Sequence, residues 1–297
     1  MSKLRLIAAL CTLPVAAAAQ TTIFNEAFAS GQRATFTYFT SADWHSSSTS
    51  DTITYTDAAS ITQATGGSGR TLTGFFTPHG NAQSLAVGEA LTFTFNITFN
   101  RDIALTANSN NFRFGVFDST TGARPAGDST GGTSASTVFD NYFGYAGMLN
   151  LGGGANSLSI RERTSVSNQA FLGATTPYTT LGSTGSPTSG SFVQNTLYTG
   201  VMTLTRTASS TMDLSFSITG GTLSGFSISR QDTSSIVSSF DTFAFHLNSS
   251  TADSYTLSQV KVDYSGISPI PEPSTYAVIF GAIALVGVAI RRRRAQH

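Results

Sequence analysis

A single cysteine, Cys11, in 297 residues leaves no pair for an internal disulfide and no thiolate set for a zinc ribbon. Cys11 also falls in an N-terminal stretch expected to be removed, so no cysteine nucleophile would remain. Charge is sparse, with Asp, Glu, Lys and Arg together at 11%. Lysine occurs only at Lys3 and Lys261, and glutamate only at Glu26, Glu89, Glu162 and Glu272. The i,i+4 ion pairs that support exposed helices therefore cannot be built along the middle of the chain. The formal charge of zero hides an asymmetry, because Lys3, Arg5 and Arg291 to Arg294 crowd the two ends. Setting those six and Glu272 aside takes sixteen residues of each sign to ten basic and fifteen acidic. A body with this acidic excess has no basic stripe to displace phosphate counterions, which excludes nucleic acid as a partner.

What the chain does have is phenylalanine, 22 of them, set among Ser, Thr and Gly. That balance favours strands. In Leu91 to Phe99, residues Leu91, Phe93, Phe95, Ile97 and Phe99 face one way and Thr92, Thr94, Asn96 and Thr98 the other. Such period-two alternation marks a strand with one buried face. It recurs at Phe112, Phe114 and Val116, at Met202 and Leu204, and at Met212 to Ile218. Two further stretches are Phe243 to Leu247 and Val260 to Tyr264. Gly/Ser/Thr/Pro clusters such as Thr65 to Arg70, Ala126 to Ser136 and Gly182 to Ser191 read as loops between them. The expected fold is all-β, an antiparallel β-sandwich over residues 20–268, and its length favours a jelly-roll-like arrangement over an immunoglobulin-like one. The uncharged strand Leu91 to Phe99 is expected at the centre of its sheet, since as an exposed edge it would invite aggregation.

The two ends carry addresses. Residues 1–19 combine Lys3 and Arg5, an apolar run and an A-x-A site at Ala17 and Ala19, the three parts of a secretory signal peptide. At the other end, Pro271-Glu272-Pro273-Ser274-Thr275 precedes the apolar run Tyr276 to Ile290 and the block Arg291, Arg292, Arg293, Arg294. The prolines keep the motif extended and accessible. The apolar run of residues 276–290 would span about 22 Å as one transmembrane helix, and the arginines would stop it on the cytoplasmic side. This 269–297 tail resembles the PEP-CTERM sorting signal of bacteria that make extracellular polymeric matrix. The resemblance implies delivery through the secretion machinery and recognition of Pro271, Glu272 and Pro273 by exosortase, a membrane-embedded cysteine transpeptidase. The tail would then be removed and the protein delivered from the inner membrane toward the cell surface or extracellular matrix.

The body resembles concanavalin-like or carbohydrate-binding jelly rolls in Phe240-Asp241-Thr242-Phe243-Ala244-Phe245-His246 followed by Tyr255 to Tyr264. A polysaccharide partner is what that resemblance implies. The residues themselves offer Asp43-Trp44-His45 as a candidate ligand site, because an exposed indole can stack on a sugar ring; Trp44 sealing an edge of the core is the competing reading. A glycosidase needs two carboxyl groups about 5 to 10 Å apart, and the glutamates are scattered singly along the chain. Arg161-Glu162-Arg163 reads as a strand with Glu162 on the face opposite both arginines. His45, His79 and His246 lie far apart and outside any metal-binding spacing, so no cofactor is expected. A structural Ca²⁺ held by Asp118, Asp128 and Asp140 beside loops stays open. The expectation is a non-enzymatic exported surface or matrix protein, with a lectin-like module as the alternative and a polysaccharide hydrolase or lyase third.

Overall fold

The computed structural model describes residues 20–26, 28, 44–48, 53–56, 60–64, 69–100, 111–119, 122–125, 127–128, 137–151, 158–164, 170–185, 190–248, 254–266 and 291–292. Residues 20–265 form one compact unit, and residues 1–19 with 266–297 form another. Of the second, Gly266, Arg291 and Arg292 are described, the two arginines as helix. The expected signal cleavage residues Ala17 and Ala19, the sorting residues Pro271, Glu272 and Pro273, the apolar run, Arg293 and Arg294 lie outside the described residues. No helix among those described is long and apolar enough to cross a membrane.

The first unit is built of strands, with one 3₁₀ turn at Thr137–Phe139 among the described residues. In chain order they are β1 (Gln20–Glu26), β2 (His45–Ser46), β3 (Ile53–Thr56), β4 (Ser60–Ala64), β5 (Arg70–Phe75), β6 (Gln83–Ser84), β7 (Ala90–Phe99) and β8 (Phe112–Asp118). There follow β9 (Phe143–Leu149), β10 (Leu158–Arg163), β11 (Tyr178–Thr180), β12 (Leu197–Ala208), β13 (Thr211–Thr219), β14 (Ser227–Asp232), β15 (Ser239–Phe240), β16 (Thr242–Leu247) and β17 (Ser254–Ser265). Every strand pairing described is antiparallel. One sheet runs β14-β13-β12-β7-β17-β4-β3, with β1 on the remaining length of β17; the other runs β11-β10-β9-β8-β16-β5-β2. The uncharged strand β7 lies between β12 and β17, where both its edges are hydrogen-bonded.

Alternation carries directly into burial on β7, where every residue from Leu91 in steps of two is buried and the threonines between are half-exposed. Strand β17 keeps the same logic with a change of parity. Tyr255 and Leu257 are buried, then Val260 and Val262, because a bulge between Leu257 and Gln259 inserts one residue and restores the inward face. Between the sheets the aromatic rings interdigitate. Phe95 meets Phe114 with ring centroids 4.9 Å apart, Phe93 meets Phe243 at 5.7 Å and Phe114 meets Phe216 at 4.6 Å. Each such ring buried contributes about 1.5–3 kcal/mol from the area removed from water.

A second apolar cluster sits on the opposite face of the β5, β8, β9 and β16 region. There Phe75, Phe117, Ala146, Met148 and Ala244 are covered by Phe139, Tyr142, Phe171 and Leu172 from the connecting segments and by Tyr178 of β11. Those four strands are consequently buried along nearly their whole length. The rings need room, and Gly147 makes it. A Cβ there would stand 2.2 Å from Cζ of Phe114. Gly147→Ala is expected to destabilise the fold by about 1–3 kcal/mol through overpacking, read as a lower urea midpoint with unchanged slope.

Candidate functional site

Of the two readings of Trp44, the structure has the one in which the indole seals the core. Trp44 is buried, with 2% of its surface exposed. Its ring stacks on Phe28 at 5.9 Å and packs against Phe243 at 5.1 Å, and its Nε1–H donates to Oε2 of buried Glu26 at 3.3 Å. The stacking platform for a sugar is therefore absent: the indole seals the core, and the ring's one polar atom is spent on Glu26. His45 is half-buried against the Phe75 ring, and Asp43 lies outside the described residues.

Several other polar groups are buried for structural reasons. Asp241, fully buried, accepts the Ser119 N–H at 2.8 Å, the Ser119 hydroxyl at 2.5 Å, the Thr242 hydroxyl at 2.6 Å and Arg124 Nη2 at 2.8 Å. The Arg124 guanidinium in turn lies 4.1 Å from the centroid of the Phe75 ring. Arg163 is buried in the second cluster, donating Nη1 to the carbonyls of Phe139 and Tyr142. His246 bonds the Thr71 hydroxyl through Nδ1 at 2.9 Å. Burial, helped by the Arg113 charge, holds its pKa well below the usual imidazole range, so it is neutral. His79 is exposed, its Nε2 at 3.0 Å from the Gly122 carbonyl.

The site that sequence reasoning missed is a cleft of about 560 Å³ lined by Asp118, Phe143, Glu162, Arg163, Thr164 and Ser234–Ser239. Register explains how it arises. Along β10, Leu158, Ile160 and Glu162 share the face that looks into the sandwich, and Leu158 and Ile160 belong to its core. On β9, Phe143 and Tyr145 share the same face, with Tyr145 opposite Glu162 across the ladder. Asp118 ends β8 and Asp232 ends β14, in the facing sheet. The apolar rows thus give way to acids at one end of the sandwich, and residues 234–239 wall the gap.

The acids at this end of the sandwich are not equivalent. Asp232 is buried and satisfied: Oδ2 accepts the Tyr145 hydroxyl at 2.7 Å and Oδ1 the Ser234 N–H at 3.0 Å. The Tyr145 oxygen accepts the Val237 N–H at 3.1 Å, and Asp118 accepts the Ser239 hydroxyl. Glu162 is 6% exposed and has no hydrogen-bond partner among the described residues. Burial first, and then the negative charge of Asp232, raise its pKa to about 7. Phe143 stands at the rim with 36% of its surface exposed. The parity of Glu162 against Arg161 and Arg163 was readable in the sequence and holds here. That Asp232, seventy positions later, comes to the same end of the sandwich has no signature in spacing.

Among the described residues no three His, Cys, Asp or Glu side chains converge as metal ligands would. Asp118, Asp128 and Asp140, named for Ca²⁺, are accordingly not gathered as one donor set; Asp118 accepts the Ser239 hydroxyl and Asp128 the Ser46 N–H at 2.8 Å.

The tail defines the chain more closely than the cleft does. Residues 269–294 match the PEP-CTERM protein-sorting motif. No curated protein matches the chain. Among solved structures, the metal-free Emp46p carbohydrate recognition domain is similar at 11% identity, over 74% of this chain and 87% of that one, with a TM-score of 0.42. Peanut lectin is similar at 7% identity over 84% and 98%, TM-score 0.47, and lectin I from Ulex europaeus at 9% over 76% and 93%, TM-score 0.43.

Proposed function

We propose that this is an exported, non-enzymatic protein of the cell surface or extracellular matrix, whose tail is the substrate of an exosortase-type membrane transpeptidase. The match of residues 269–294 to the sorting motif carries the reading. The secretion machinery would remove residues 1–19 at Ala17 and Ala19. The segment of residues 276–290 would hold the chain in the inner membrane as a transmembrane helix, stopped by Arg291 to Arg294, until the tail is exchanged or cut at Pro271-Glu272-Pro273. The β-sandwich is then the delivered cargo. Two carboxylates acting as acid and base or nucleophile are needed for glycoside hydrolysis. Asp232 and Asp118, the acids nearest Glu162, are both held by hydrogen bonds within the fold, which fits a binding or structural body.

Replacing Pro271, Glu272 and Pro273 together by alanine in a host that makes exosortase tests this directly. The expected result is a chain that keeps its tail, fractionates with the inner membrane and no longer reaches the surface. Unchanged fractionation and unchanged mass would remove the sorting role.

Polysaccharide binding is the second reading. With Trp44 buried, the features that favour it are the exposed Phe143 ring and the acceptors beneath it, an apolar platform beside a few polar groups as in many ligand sites.

A further inference from the structure

The cleft at the end of the sandwich has an unusual charge balance for a buried site. Asp118 and Glu162 line it, with the charge of buried Asp232 acting on Glu162, while Arg163, also in the lining, donates the other way, to the carbonyls of Phe139 and Tyr142. Burying carboxylates is costly unless a cation or several donors compensate. Asp232 and Asp118 have their donors, and Glu162 has none. A metal ion would ask for at least three converging protein ligands, which are not present among the described residues. An ammonium group asks for less. It needs hydrogen-bond acceptors and tolerates an aromatic face, and the cleft supplies Glu162, serine oxygens and the Phe143 ring.

We propose that the cleft lined by Asp118, Glu162, Phe143 and Ser234–Ser239 binds an ammonium-bearing sugar unit, that is, a polysaccharide with free amino groups. The inference rests on the polysaccharide reading above and is independent of the sorting tail. Glu162 receives the ammonium as a charge-assisted hydrogen bond; Asp232 adds charge from behind, held in place by Tyr145 and the Ser234 N–H. Phe143 covers the apolar face of the ring, and the hydroxyls of Ser234, Ser235 and Ser238 are available to those of the sugar. A volume of about 560 Å³ accommodates one or two hexose units by the usual size of ligand sites.

The groups facing Glu162 are Tyr145 from β9, Asp232 from β14 and Asp118 from β8, with Thr179 of β11 as its ladder partner. Tyr145 stays neutral, its pKa raised by burial and by Asp232, so it does not titrate in the range that matters. Glu162 is protonated below about pH 7 and loses its grip on a cation there. Binding should therefore fall on the acid side of neutrality as the carboxyl is protonated, and on the alkaline side as the amine loses its proton.

The test uses the full chain in detergent with glucosamine oligomers, their N-acetylated forms, neutral glucose oligomers and spermidine, titrated by calorimetry. The expected result is binding of the glucosamine oligomers alone, weakened about tenfold to a hundredfold in Glu162→Gln and weakened in Phe143→Ala, with both variants melting no lower than the parent by more than a few degrees. Equal binding of neutral or acetylated oligomers would overturn the ammonium assignment and leave the polysaccharide reading standing. Equal binding of spermidine, or binding undiminished in Glu162→Gln, would reduce the effect to general attraction by an acidic body. Binding of none of the four would overturn both readings.

Discussion

Asp241→Ala is expected to lower the unfolding free energy by about 3–5 kcal/mol, the cost of breaking a buried ion pair by removing one partner. Asp241 gathers Arg124, Ser119 and Thr242 at a fully buried point where β15 passes into β16. Without the carboxylate, the Ser119 N–H and hydroxyl lose their acceptor and the Arg124 charge, 16% exposed, loses its counterion. Asp241→Asn keeps an acceptor for the Ser119 N–H and should lose less. Urea unfolding of the full chain, followed by fluorescence of Trp44, measures both. A loss below about 1 kcal/mol for the alanine variant would mean that the network is solvated and contributes as a surface pair does.

Trp44→Ala should cost a similar amount, about 3–5 kcal/mol, because it opens a cavity between Phe28 and Phe243 and takes one donor from buried Glu26, which keeps the Phe28 N–H. Trp44→Phe fills part of the space and should recover part of the loss, with the Glu26 oxygen still short of its donor. Since the tryptophan itself is removed, circular dichroism supplies the readout. A Trp44→Ala variant as stable as the parent but impaired in polysaccharide binding would restore the sugar-stacking role first considered for this residue.

The contrast between Trp44 and Glu162 shows how far sequence reasoning reaches. Strands β7, β12 and β13 were legible because one face is wet, so apolar residues alternate with Thr or Ser. Strands β5 and β9 were not, because the second cluster covers their outer face and both parities are buried, which erases the period. Trp44 left two readings open, a sugar-stacking ring or a seal on the core, because its Ser and Thr neighbours only report that the segment is a loop and a short strand. The indole's position depends on Phe28 and Phe243, the second of them two hundred residues away. Glu162 shows the reverse. Its face relative to Arg161 and Arg163 followed from the period of two, while its meeting with Asp232 depends on two strands in different sheets ending at the same end of the sandwich. The sorting tail was the most readable part, because hinge, apolar run and arginine block are contiguous and need no tertiary structure to be recognised.

If the sandwich is cargo delivered by its two ends, intact mass spectrometry of the protein recovered from the cell surface should find a chain that begins at Gln20 and lacks residues 276–297, carrying whatever group the transpeptidase attaches near Pro271-Glu272-Pro273. A surface protein that still contains Arg291 to Arg294 would contradict it.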